Sequence, residues 1–83
     1  MRIVYFASVR ENIGIDAEDR DLPDDIASIS DLLDWLAEQS EQYAAAFTDR
    51  SRLRFAIDHN MVTDEALLSG ATEIAIFPPV TGG

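Results

Sequence analysis

The 83-residue chain contains no cysteine and no lysine. The first absence removes a disulfide framework, a thiolate nucleophile and any thiolate metal site together. The second leaves no side-chain amine to receive an isopeptide bond. The single histidine, His59, has no second histidine or cysteine with which to build a zinc site, so it reads as a turn residue. No apolar run approaches the roughly 20 residues needed to span a bilayer. Met1-Arg2 leads straight into a short apolar stretch, without the pattern of a targeting signal. A cytoplasmic location with no membrane partner is the resulting expectation. Basic residues are scarce, with six arginines against sixteen acids and a net charge of -10. Such a chain repels phosphate backbones, which argues against nucleic acid and favours a partner with a basic surface. Solubility or adaptation to high salt would account for the same acidity.

What is present is enough for one small core. The apolar content of 47% is ordinary for a globular domain, and the length suits one domain spanning residues 1–83. Arg2 to Val9 reads as a central strand, because Ile3, Val4, Tyr5, Phe6 and Val9 make both of its faces apolar. Asn12 to Asp16, with Gly14, suits a turn, and Ala17 to Leu22 a polar second strand before Pro23. Ile29, Leu32, Leu33 and Leu36 fall at helical spacing and predict a helix from about Ile29 to Gln39, with Ser28 and Asp31 as its capping box. Gln42 to Asp49 either extends that helix or forms a separate turn. Arg52 to Asp58 alternates as a half-exposed strand with Leu53, Phe55 and Ile57 inward. His59-Asn60 reads as a turn, Met61-Val62 as a short strand and Glu73 to Phe77 as the last strand. There Ile74 and Ile76 share one face, and Ala75 and Phe77 the other, so one face must be less buried than its hydrophobicity suggests. Two strands, a helix and two or three strands define an α+β domain, a mixed sheet of four to five strands with one main helix across it. This is the element order of the ubiquitin-like β-grasp.

The carboxyl end is the most informative segment. Two of the four glycines are its last two residues, Gly82 and Gly83. With glycine near 7% of residues, two in those positions arise by chance in about 0.5% of chains. Pro78 and Pro79 cannot donate to a ladder and hold the backbone extended, so they end the strand and aim a tail, residues 78–83, away from the body. Those six residues reach roughly 20 Å. Gly82 and Gly83 can pass a channel that admits only backbone, which delivers an unobstructed carboxylate. A frayed end would also finish in glycines, but it would not require the stiff proline pair before them.

Phe77-Pro78-Pro79-Val80-Thr81-Gly82-Gly83 resembles the terminal signature of the molybdopterin synthase small-subunit family. Phe6-Ala7-Ser8-Val9-Arg10-Glu11 with Gly14 resembles that family's first strand and turn, and Thr72-Glu73-Ile74-Ala75 its approach to the last strand. The resemblance implies a β-grasp fold and a sulfur carrier that works as a thiocarboxylate on Gly83. It implies an adenylyltransferase akin to ubiquitin-activating enzymes, which uses ATP to adenylate the Gly83 carboxylate before sulfur displaces AMP. The loaded tail would then enter the large catalytic subunit of molybdopterin synthase and give sulfur to a cyclic pterin monophosphate precursor. No permanently bound cofactor is implied. Gly83 would hold the sulfur and Gly82 thread the channel. Pro78, Pro79, Val80 and Thr81 would line the approach, and Phe77 would touch the large subunit. Arg10 is a candidate for pairing with an acidic group on a partner, with a solvated arginine at a strand end as the alternative.

Elsewhere the residues suggest no independent active site. Asp24-Asp25 and the acids between Asp16 and Asp21 lack the spacing of a calcium loop. The serines show no base in register, and Trp35 borders the helix stripe as a core residue. Three rival functions share the same tail: a ubiquitin-like protein modifier, a sulfur carrier for thiamine or tRNA thiolation, and a binding module whose tail is inert.

Overall fold

The structure, a computed structural model, describes residues 1–79. Its elements are β1 (Arg2–Tyr5), α1 (Ala7–Ile13), β2 (Ala17–Asp19), α2 (Ile29–Ala37), α3 (Glu41–Ala46), a 3-10 turn (Arg50–Arg52), β3 (Arg54–Ile57), β4 (Asn60–Val62) and β5 (Glu73–Phe77). The five strands form one sheet in the order β2-β1-β5-β3-β4. β1 and β5 run parallel at its centre, and every other pairing is antiparallel. Parallel neighbours need a long crossover, which here carries the helices to one face.

α2 lies across that face because its sequence gives it one apolar stripe. Ile29, Leu32, Leu33 and Leu36 are fully buried together with Ile3, Tyr5, Ile74 and Ile76. The expected capping box is present: the Ser28 hydroxyl accepts from the Asp31 amide at 3.1 Å, and the Asp31 carboxylate accepts from the Ser28 amide at 3.3 Å. After Ala37 the chain breaks at an extended Ser40, whose hydroxyl caps α3. The segment from Gln42 is therefore a separate helix, not an extension.

The first strand is shorter than the sequence suggests, ending at Tyr5 instead of Val9. Ala7 adopts φ +51, left-handed backbone that no strand continues through. The chain then winds into α1, which turns Val9 into the core and ends at Gly14, φ +96, whose amide bonds to the Arg10 carbonyl. β2 covers only Ala17–Asp19 of the segment expected to reach Leu22. The segment expected as a strand from Arg52 begins instead with the 3-10 turn. The β3–β4 turn sits one residue earlier than expected: Ile57 pairs with Asn60, and Asp58 and His59, both at positive φ, form a two-residue primed turn.

A polar brace ties these pieces together. The Glu18 carboxylate accepts from the Tyr5 hydroxyl at 2.7 Å, the Tyr43 hydroxyl at 2.5 Å and the Arg20 guanidinium at 3.2 Å. The Arg20 head lies 4.8 Å from the centre of the Trp35 ring. One carboxylate thus links β2, β1 and α3, and the loop beyond β2 is held against α2.

Candidate functional site

β5 carries the chain from the middle of the sheet to the tail. Ile74 and Ile76 point inward and are fully buried, so Ala75 and Phe77 point to the opposite, outer face. This resolves the conflict within β5: Phe77 is the half-buried residue, and its burial comes from an aromatic neighbour. The Phe6 ring meets it edge-on, with centroids 6.3 Å apart at 87°. Phe6 itself is 48% exposed. The backbone places this pair: the Phe6 amide donates to the Ile76 carbonyl, and the Ala7 kink follows at once. Tyr5, pinned inward by Glu18, leaves its successor facing outward.

The outer face is graded along the strands. At the end remote from the tail, Arg2 pairs with Asp19 and Glu73 across the ladder, and its guanidinium is 3.4 Å from the Glu73 carboxylate. In the middle, Ala17, Val4, Ala75, Ala56 and Met61 are cross-strand neighbours in one line over all five strands. This apolar row uses mostly small side chains and ends at Met61, which is 63% exposed. At the tail end stand Phe6, Phe77 and Arg54, the last paired in register with Phe77. Pro78 and Pro79 follow, both half-buried. Apolar side chains thus run along the outer face to the root of the tail, where Arg54 stands beside Phe77, and exposed apolar groups such as Phe6 and Met61 suit a protein docking site.

Among the residues expected to act, Phe77, Pro78 and Pro79 are together at this root. Arg10 is not at a strand end as expected; it is exposed on the last turn of α1, where a cation suits the negative end of the helix dipole. Val80, Thr81, Gly82 and Gly83 lie outside the described residues. Phe6 and Met61 escaped the sequence reading as members of the surface. For Phe6 the signal was its alternation with Arg2 and Val4, obscured by extending the strand to Val9.

Burial and hydrogen bonding set the electrostatics behind the patch. Burial would raise the Glu18 pKa, but hydrogen bonds from Tyr43, Tyr5 and Arg20, with the Arg20 charge, outweigh it and hold the carboxyl below its usual value. Burial first, then the hydrogen bond to Glu18, pushes Tyr43 up to about 12 and raises Tyr5 further. The brace therefore holds its protonation pattern across the neutral range.

A five-stranded mixed sheet with parallel central strands, gripping a main helix, defines a ubiquitin-like β-grasp protein. SAMP1 from Haloferax volcanii has this fold, matching with a TM-score of 0.72 at 24% identity and covering 100% of this chain and 98% of that one. The chain matches the ThiS family over residues 3–83. It is 36% identical over 83 residues to the molybdopterin synthase sulfur carrier subunit of Haemophilus influenzae and 35% identical to that of Escherichia coli. Both alignments cover 100% of this chain and 99% of the relative. The chain belongs to the ThiS family, alongside these sulfur carriers.

Proposed function

We propose that this chain is the sulfur-carrier subunit of a molybdopterin synthase and that its working group is the Gly83 carboxylate. The similarity to sulfur carriers over the whole chain, tail included, carries this reading. A carboxylate is a poor electrophile, because its negative charge is shared by two oxygens and neither leaves readily. Activation by an adenylyltransferase solves this: a Gly83 oxygen attacks the α-phosphate of ATP, pyrophosphate leaves, and the acyl adenylate has AMP as a leaving group. A sulfur nucleophile then displaces AMP to leave the thiocarboxylate.

The carrier supplies delivery and no catalytic groups of its own. Pro78 and Pro79 set the direction of the tail, and Val80, Thr81 and Gly82 follow it into the large catalytic subunit, where the sulfur passes to a cyclic pterin precursor. The outer sheet face, with Phe77, Phe6 and Met61, docks against that subunit and places the tail at the channel mouth. These steps take place in the cytoplasm. The test is reconstitution with the cognate large subunit: sulfur-loaded chain should yield molybdopterin from the precursor, whereas loaded chain lacking only the large subunit should not. Product formation from unloaded chain under the same conditions would refute the carrier role.

A further inference from the structure

Three of the six arginines are held by carboxylates: Arg2 by Glu73 at 3.4 Å, Arg20 by Glu18 at 3.2 Å and Arg50 by Asp34 at 2.7 Å. Among the described residues, Arg10, Arg52 and Arg54 have no carboxylate within ion-pair distance, although acids outnumber arginines sixteen to six, and of these only Arg52 and Arg54 lie close together in the chain. Arg52 and Arg54 are both exposed, and Arg54 stands beside the tail root. Arg54 opens β3 in register with Phe77, and Arg52 closes the turn just before it. The Arg54 head is oriented: one guanidinium nitrogen donates to the Leu53 carbonyl at 2.8 Å and the Ser51 carbonyl at 3.1 Å. Its remaining N–H groups are left for an acceptor from outside the chain.

We propose that Arg52 and Arg54 form a cationic anchor that seats an acidic patch on the large subunit, at the mouth of the channel that receives the tail. This rests on the carrier reading above. The chemistry favours a carboxylate partner, because a guanidinium fork matches carboxylate geometry and an oriented one loses less freedom on pairing. The sign of the anchor opposes that of the chain as a whole, which separates two roles. The net charge of -10 governs attraction at a distance. The two arginines act only within about 10 Å, the screening length at 0.1 M salt, and so fix the orientation of the docked sheet rather than the first encounter.

The test compares Arg52→Gln/Arg54→Gln with Leu67→Glu/Ser69→Glu. The second pair changes net charge by the same two units, at exposed positions at the end of the sheet remote from the tail. Binding of each full-length chain to the large subunit is measured by calorimetry over a range of salt. The arginine variant should bind about tenfold more weakly at low ionic strength, as expected for two exposed ion pairs. Its deficit should shrink as salt rises, the control should bind like the native chain, and sulfur loading should be unchanged in both. Equal affinity and salt dependence for the arginine variant and the native chain would overturn the proposal. So would an equal deficit in the control, or a loss confined to loading, which would assign the anchor to the activating enzyme. If the native chain itself failed to bind the large subunit, the carrier reading would fall and the anchor with it.

Discussion

Replacing Glu18 with alanine should destabilise the fold by about 2 to 4 kcal/mol. The side chain accepts three hydrogen bonds, from Tyr5, Tyr43 and Arg20. Tyr43 and Arg20 are half-buried and can turn to water, so their loss costs little beyond the bonds. Tyr5 is 1% exposed and cannot. Its hydroxyl would be left buried without an acceptor, a penalty of about 1 to 3 kcal/mol, on top of the about 1.5 kcal/mol contributed by a hydrogen bond to a charged group. At this chain length each kcal/mol lowers Tm by about 4 to 8 °C, so thermal unfolding followed by circular dichroism should show a fall on the order of 10 to 25 °C. The double variant Glu18→Ala/Tyr5→Phe removes the orphaned hydroxyl as well and should be no less stable than Glu18→Ala alone. The two substitutions should therefore couple by about 1 kcal/mol or more. A Tm loss under a few degrees for Glu18→Ala, or strict additivity in the double variant, would refute the brace as described.

The same brace fixes the pH dependence of stability. Glu18 titrates below its unfolded value, so its contribution is complete above about pH 4.3 and is lost as pH falls through the folded value. Tyr43 titrates above its unfolded value, so its contribution is complete below about pH 10 and is lost as pH rises through about 12. Tyr43→Phe should make the alkaline limb in urea titrations shallower, with Tyr5 still contributing, and should also weaken the acid limb, because it removes the strongest of the hydrogen bonds that hold the Glu18 carboxyl down; an unchanged alkaline limb would contradict the assignment. Leu36→Ala, at a fully buried position of α2, should cost about 2 to 5 kcal/mol, and an unmoved urea midpoint would show that the helix packs differently. Ala7→Gly relieves left-handed strain of about 1 to 2 kcal/mol against a glycine entropy cost of about 0.5 to 1. It should raise Tm slightly, and a clear fall would exclude the kink. Phe77→Ala should weaken binding to the large subunit at least about tenfold, while costing only about 1 kcal/mol of stability for the lost edge-on pair. A collapse in stability would make Phe77 a core residue instead.

The sequence exposed those features that depend on one local pattern. The stripe from Ile29 to Leu36 has helical spacing and its capping box, and α2 followed. The alternation in β5 showed that one face had to be less buried, and the partner of Phe77 was the missing piece. What failed to show were places where tertiary structure overrides local preference. Ile3, Val4, Tyr5 and Phe6 favour a strand and gave no warning of the left-handed Ala7 that stops it. Val9 and Ile13, four residues apart on α1, were overshadowed by the β-forming run before them. The segment from Gln42 to Asp49 stayed open, since an N-cap serine such as Ser40 and a helix-interior serine look alike until the backbone is placed. The outer apolar row was illegible for a different reason: Ala17, Val4, Ala75, Ala56 and Met61 come from all five strands and align only through register.

The most direct test of the central claim is intact mass spectrometry of the full-length chain after incubation with its activating enzyme, ATP and a sulfur source. The expected result is a mass increase equal to the exchange of one oxygen for sulfur, mapped to Gly83, dependent on ATP and absent when Gly83 is deleted from an otherwise stably folded chain. No such increase with an active enzyme present, or a sulfur adduct mapped anywhere else, would contradict it.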